Sequence, residues 1–111
     1  MNEVIDATKL SELRQILGLN FQLFVETYQK DMQGRSQAMI AALAEQNWRE
    51  IQQQAHSLKG SSSNIGADHI FNICERIEGF ANSSAEADVA AELEALTGAI
   101  ALVEQQLALQ I

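Results

Sequence analysis

The 111-residue chain contains no proline, and its apolar residues recur three or four positions apart over most of its length. This spacing places apolar side chains on one face of an α-helix, whereas a half-buried strand would need alternation at every second residue. No segment alternates in that way, so the sequence predicts helices and no strands. The abundance of Ala, Leu, Gln and Glu favours helices further, and nothing interrupts them as proline would.

Cap and turn residues divide the chain into one short helix and four longer ones. The predicted boundaries are, in chain order, Asp6 or Thr8 to Gly18, Asn20 to Glu45, Asn47 to Gly66, Asp68 to about Ala81, and Ser84 to about Leu107. Four amphipathic helices joined by short loops predict an all-α, up-down-up-down four-helix bundle, with the short N-terminal helix covering one end. No linker or repeat interrupts residues 1–111, so we expect a single domain.

The net charge of the chain argues against some classes of binding partner. Seven Lys and Arg against fifteen Asp and Glu give a formal net charge of −8, which should repel nucleic acids and anionic membranes. We find no signal peptide and no apolar run long enough to cross a bilayer, so we expect a cytoplasmic protein. Cys74 has no second cysteine with which to form a disulfide, and we expect it to be buried as a small apolar residue.

His56 lies off the apolar stripe of the third predicted helix. At about 100° per residue, His56 points roughly 130° away from the centre of that stripe. The stripe consists of Ile51, Ala55, Leu58, Ser62 and Ile65. The sequence therefore predicts a solvent-facing imidazole rather than a core histidine.

The helical neighbours of His56 are polar or very small: Gln52, Lys59, Gly60 and Ser63. A neutral imidazole nitrogen is a competent nucleophile toward phosphorus. Lys59 could screen the charge of a phosphoryl group, and Gln52 or Ser63 could donate hydrogen bonds to it. Gly60 costs the helix about 1 kcal/mol relative to Ala, which suggests that something must approach the backbone beside His56.

The chain has no sequence signature of an ATP site, because it lacks both a phosphate-binding loop and a kinase signature set. We therefore expect a carrier of phosphoryl groups rather than an enzyme with its own kinase activity. A di-metal helical bundle is a poor alternative, because neither His56 nor His69 follows a Glu at the Glu-x-x-His spacing. His69 has no supporting context and is expected to be a surface side chain.

The segment from His56 to Ser62, with its H-x-x-K-G start, resembles the histidine-containing phosphotransfer (HPt) domain of phosphorelays. The pair Ile65-Gly66 and the segment from Cys74 to Glu78 extend the resemblance. It implies a four-helix bundle in which His56 is the phosphoacceptor. It also implies that Lys59 lies near the phosphate and that Gly60 leaves room for a partner's active site.

The resemblance further implies a polar side chain on the preceding helix that hydrogen-bonds the imidazole, with Gln29, Asp31 and Gln33 as the candidates. The implied partners are receiver domains of a hybrid sensor kinase and of a response regulator, which supply the phosphorylated aspartate and Mg²⁺. This chain is expected to bind no cofactor or metal, to be a monomer, and to be either a freestanding carrier or a domain excised from a hybrid kinase. The alternative is a non-catalytic HPt-like adaptor that sequesters a response regulator without carrying phosphate.

Overall fold

A computed structural model describes residues 5–110, and within them the chain is helical with no strand. The five α-helices are α1 (Ala7–Leu17), α2 (Phe21–Ala44), α3 (Trp48–Ile65), α4 (Asp68–Asn82) and α5 (Glu86–Ala108). A single 3₁₀ turn, Gly18–Asn20, joins α1 to α2. The prediction of an all-α fold is confirmed for this part of the chain.

The four longer helices pack in a closed ring. Helix α2 packs on α3, α3 on α4, α4 on α5, and α5 back on α2, whereas α1 contacts the ends of α2 and α3. The links at 45–47, 66–67 and 83–85 are only two or three residues long. Links this short force consecutive packed helices to run antiparallel, which gives the up-down-up-down order of a helical bundle.

Three of the predicted helix starts are correct in position, and two of them are also capped by the predicted side chain. The Asp6 carboxylate accepts hydrogen bonds from the backbone N–H groups of Thr8 and Lys9, and thereby caps α1. The Asn47 side chain accepts from the N–H of Glu50 at the start of α3. Asn20 precedes α2 as predicted but makes no capping hydrogen bond, because the preceding 3₁₀ turn already holds its backbone in a helical conformation.

Two predicted starts are displaced. Asp68 lies inside the first turn of α4, where its charge favours the helix N-terminus, and Ala67 is the residue before the helix. Helix α5 begins at Glu86 rather than Ser84, because Ser84 has a left-handed backbone with φ of 52° and belongs to the turn.

The turn between α3 and α4 contacts the start of α1. Gly66 ends α3 with φ of 84°, a left-handed conformation that glycine adopts without strain. Its carbonyl accepts a hydrogen bond from Asp6 N at 3.0 Å, and an added Cβ would lie 3.0 Å from the Lys9 side chain. The close approach of Asp6 and Lys9 therefore depends on the absence of a side chain at Gly66.

The core includes one polar contact. Tyr28 of α2 and Ser62 of α3 are both buried, and their hydroxyl groups lie 2.8 Å apart. The predicted stripe of α3 is otherwise apolar and fully buried. The spacing of Leu10, Leu13, Ile16 and Leu17 predicts one apolar stripe on α1, and for Ile16 this prediction is wrong. Ile16 is 77% exposed, because only Leu10 of that helix is buried in the bundle, with Leu13 and Leu17 packed at its edge.

The Tyr28–Ser62 hydrogen bond gives a stability prediction. Tyr28→Phe should lower the free energy of unfolding by about 1–2 kcal/mol, because the Ser62 hydroxyl would lose its buried partner. Urea unfolding followed by circular dichroism measures the change. In the double variant Tyr28→Phe/Ser62→Ala no hydroxyl is left without a partner, so the two losses should not add; fully additive losses would contradict the assignment.

Candidate functional site

Burial of one stripe of α3 fixes the direction in which His56 points. Ile51, Ala55, Leu58 and Ile65 are fully buried, so the opposite side of the helix faces solvent. The His56 side chain lies on that side and is 72% exposed. The structure therefore places His56 as the sequence predicted, with its ring accessible to another molecule.

Glu78 of α4 contacts both His56 and Lys59. Its Oε2 atom lies 3.2 Å from His56 Nδ1, and its Oε1 atom lies 2.6 Å from Lys59 Nζ. The Glu78 side chain is only 24% exposed. The Glu78 carboxylate thus contacts both the imidazole and the ammonium group. Its contact with the ring is at Nδ1, and the other ring nitrogen, Nε2, is directed away from Glu78.

Lys59 is held at the edge of the bundle, between α3 and α4. Its side chain is 22% exposed, and Nζ lies 5.9 Å from the centre of the Phe71 ring of α4. The hydrogen bond to Glu78 raises the pKa of Lys59 above the ordinary lysine value, which outweighs the opposing effect of burial. Lys59 therefore stays charged beside His56 at neutral pH.

The exposed residues of α3 include no acidic side chain. They are Arg49, Gln53, His56, Ser57, Gly60, Ser63 and Asn64. Gly60 is inside the helix, and a Cβ added there would have no heavy atom within 4 Å. In a chain with a net charge of −8, this helix therefore exposes polar side chains and one arginine but no carboxylate.

Gln52 and Ser63, proposed from the sequence as supporting residues, lie on either side of His56 along α3. Gln52 is partly buried and donates a hydrogen bond to Asn82 Oδ1 at 3.3 Å, so in this conformation it is engaged with the end of α4. Ser63 is exposed on the His56 face. Of the two, Ser63 is the residue whose side chain is open to solvent beside the imidazole.

The expectation that a residue of the preceding helix contacts the imidazole is wrong. Asp31 binds Arg35 at 2.7 Å and accepts from Ser61 at 3.1 Å, on the α2 side of α3. Gln33 donates to Glu104 of α5, and Gln29 makes no hydrogen bond with His56. The imidazole leans toward α4 instead, and Glu78 on that following helix is its partner.

Glu78 was not among the site residues chosen from the sequence. In the sequence, Glu78 is marked only by its position at the end of the segment from Cys74 to Glu78, which carries part of the family resemblance. Ile73, Cys74 and Ile77 of α4 are fully buried, and this rotation of the helix directs Glu78 toward α3. A helical-wheel projection of α4 would have placed Glu78 beside the buried stripe. It could not have identified His56 of α3 as the residue that Glu78 contacts.

No group of three or more His, Cys, Asp or Glu side chains within residues 5–110 could hold a metal ion. None of the helices described is both long enough and apolar enough to span a membrane.

Comparisons with known proteins agree with this geometry. A family model, the Hpt domain, matches residues 23–108. The fold is similar to the crystal structure of histidine-containing phosphotransfer protein B (HptB) from Pseudomonas aeruginosa PAO1, with a TM-score of 0.94 and 24% sequence identity, over 99% of this chain and 96% of that chain. A search of curated protein sequences finds no match.

The family model covers well over half of the chain, so the chain belongs to the Hpt domain family. Proteins of this class are histidine phosphotransfer carriers in phosphorelays, and membership implies interaction with receiver domains. At 24% identity the likeness to HptB shows a shared fold.

Cys74, buried behind the site, gives a pH prediction. Burial raises the pKa of the Cys74 thiol to about 12 from an ordinary value of 9.0. Below pH 9 the Cys74 thiol keeps its proton in both the folded and the unfolded chain. Between about pH 9 and pH 12 only the unfolded chain releases this proton. The free energy of unfolding should therefore fall as the pH rises through this range. Urea unfolding across this range should show a smaller fall for Cys74→Ala than for the wild type; equal slopes would contradict the assignment.

Proposed function

We propose that this protein accepts a phosphoryl group on His56 from the phosphorylated aspartate of one receiver domain and transfers it to a second receiver domain. The observation that carries the proposal is an exposed imidazole with Nδ1 bound by Glu78 and Nε2 free, on the Hpt fold. With Nδ1 engaged, Nε2 is the nitrogen that can attack phosphorus.

Lys59 and Gly60 have complementary roles in the proposal. A phosphoryl group on Nε2 would bring negative charge to the site, and the Lys59 ammonium could turn from Glu78 toward it. Gly60 lies next to His56 along the exposed face of α3, where any larger side chain would project into the approaching receiver. Ser63 and Gln52 are the remaining polar groups on α3 that could reach the phosphoryl oxygens.

The exposed face of α3, which carries no carboxylate, is the surface that we propose for docking. A receiver active site contains carboxylates, including the phosphorylated aspartate, and an acidic surface around His56 would repel them. The exposed α3 face carries no such charge. Mg²⁺ and the remaining catalytic groups would arrive with the receiver, since phosphoryl transfer depends mainly on positioning and charge stabilisation.

A groove beside this face could anchor the partner. Its volume is about 220 Å³, and it lies between α2 and α3, with Phe24, Tyr28, Ser57 and Asn64 among its lining residues. Exposed Leu23 lies next to Phe24 on α2. An apolar receiver side chain in this groove would supply affinity, because buried apolar anchors carry much of the energy of interfaces.

We further propose that residues 1–111 act as one domain and as a monomer, with α1 as an addition to the four-helix bundle. The receivers would belong to a hybrid sensor kinase and to a response regulator. Each contact would be transient, because a carrier must release one partner before it meets the next.

Transfer of label from a phosphorylated receiver domain tests the role of His56. The wild type should acquire an acid-labile, base-stable phosphoryl group, and His56→Gln should acquire none. His69→Gln, which removes the other histidine, is the control and should be labelled normally. Label retained in His56→Gln would refute the assignment, and binding without transfer across a panel of receivers would support the adaptor alternative.

Gly60 tests the proposed docking face. Gly60→Gln should slow transfer about tenfold or more, because a side chain there would displace the receiver from its reactive position. Stability should be unchanged or slightly higher, since Gln is a better helix former than Gly. Gly98→Gln on α5 is the matched control, because Gly98 is also helical and open to solvent but lies on a helix that does not pack on α3. Equal rates for the two variants would contradict the proposed role of Gly60.

A further inference from the structure

We propose that the groove between α2 and α5 is a second docking surface, and that its occupant is a basic amphipathic helix of another protein. In the ring of four helices, this groove lies across the bundle from the interface of α3 and α4, where His56 meets Glu78. A partner bound in the groove would leave the exposed face of α3 free. The inference therefore concerns a partner other than the receiver domains and does not depend on phosphoryl transfer.

The middle of the groove is apolar. Two adjoining cavities, of about 410 and 360 Å³, lie between α2 and α5, and Ile40 of α2 lines both of them. Leu43 lines the first cavity beside Ile40, and Ile100 of α5 lines the second. Ile40 is nevertheless 49% exposed. An apolar side chain of a partner would therefore remove apolar surface from water at this position.

The walls of the groove leave space for another helix. The α5 residues along it include Ala90, Thr97 and Ala101, which are small and exposed. On α2, no charged residue occurs from Ser36 to Ala44. An amphipathic helix can therefore approach this surface closely and place side chains from positions i, i+3, i+4 and i+7 into the cavities.

A carboxylate lies at each end of the groove. Glu86 lines the first cavity and Glu104 lines the second. Both residues belong to α5, and positions 86 and 104 are 18 residues apart, which is five full turns at 3.6 residues per turn. The two side chains therefore leave α5 in the same direction, about 27 Å apart along the helix axis. The groove thus has an apolar middle between two negative charges.

Neither of these carboxylates is paired with a basic side chain in the part of the chain that the structure describes. Glu86 accepts a hydrogen bond from the Gln46 amide at 2.5 Å, and Glu104 accepts one from the Gln33 amide. The ion pairs within residues 5–110 involve other carboxylates. A carboxylate that accepts one hydrogen bond from a neutral amide can still accept others. Each end of the groove is therefore open to a lysine or an arginine.

The charges of the groove select its occupant. A helix laid along the groove brings a basic residue to each carboxylate when two basic residues are five turns apart, with apolar residues between them. Such a helix matches the groove in charge as well as in shape. Nucleic acids and anionic membranes do not match it, because the carboxylates repel them. A second copy of this chain is disfavoured as well, because each copy carries a net charge of −8.

Binding of two synthetic helical peptides tests the charge of the occupant. One peptide of about 22 residues, long enough at 1.5 Å per residue to span both carboxylates, carries a leucine stripe and a lysine near each end. The other peptide has glutamate in place of each lysine. Fluorescence anisotropy should show about tenfold tighter binding of the lysine peptide, and added salt should reduce that difference. Equal affinities for the two peptides would overturn the assignment of a basic partner.

Two variants with substitutions at equally exposed apolar residues test the position of the binding surface. Ile40→Gln should weaken binding of the lysine peptide about tenfold, because it removes the apolar contact in the middle of the groove. Leu102→Gln is the matched control. Leu102 is 50% exposed, but it points about 160° away from the direction of Glu86 around α5. Its affinity for the peptide should equal that of the wild type, and circular dichroism should show both variants folded.

Two double variants test the carboxylates. Glu86→Gln/Glu104→Gln should bind the two peptides alike, because the charges at the ends of the groove are gone. Glu12→Gln/Glu75→Gln removes two exposed carboxylates from α1 and α4 instead. It lowers the net charge by the same amount and should keep the preference for the lysine peptide. Loss of the preference in both double variants would show a general attraction between opposite charges and would overturn the proposed site.

The remaining outcomes separate this proposal from the proposed function. Equal peptide affinities for Ile40→Gln and Leu102→Gln would overturn the groove as the binding surface. Self-association of the wild type in sedimentation, abolished by Ile40→Gln, would assign the groove to a second copy of the chain and overturn the proposal as well. His56→Gln should bind the lysine peptide as the wild type does. A wild type that no receiver can phosphorylate would therefore remove the proposed function and leave the peptide result unchanged.

Discussion

The rotation of α3 about its own axis is the constraint on which the site depends. Its buried side chains pack against α2 and α4, and the Tyr28–Ser62 hydrogen bond adds a directional contact at one end. A rotation that exposed Leu58 would cost on the order of 2 kcal/mol in lost burial. It would also turn His56 away from Glu78. Core packing therefore sets the direction of the imidazole, although no core residue touches it.

The polar groups of the site compensate one another across the interface of α3 and α4. Glu78 is mostly buried, and a buried carboxylate needs partners to offset its lost hydration. Lys59 and His56 supply those partners from α3. The Lys59 ammonium is therefore already in contact with an anion, the Glu78 carboxylate, beside the imidazole.

The distribution of charge distinguishes α3 from α5. Helix α5 carries acidic residues and no basic ones, as Glu86, Asp88, Glu92, Glu94 and Glu104 show. The exposed residues of α3 include no acidic side chain, and Arg49 is the charged one among them. Helix α3 would therefore repel an acidic partner less than α5 would.

The sequence by itself determined the helical fold, the exposure of His56, and the placement of Lys59 and Gly60 beside it. These features lie within single helices, where a period of 3.6 residues relates position to direction. The tertiary structure decided that Glu78 of α4, rather than Asp31 or another residue of α2, meets the imidazole. That contact depends on the left-handed turn at Gly66 and on how α4 packs against α3, and periodicity within one helix carries no information about the residue opposite it on another.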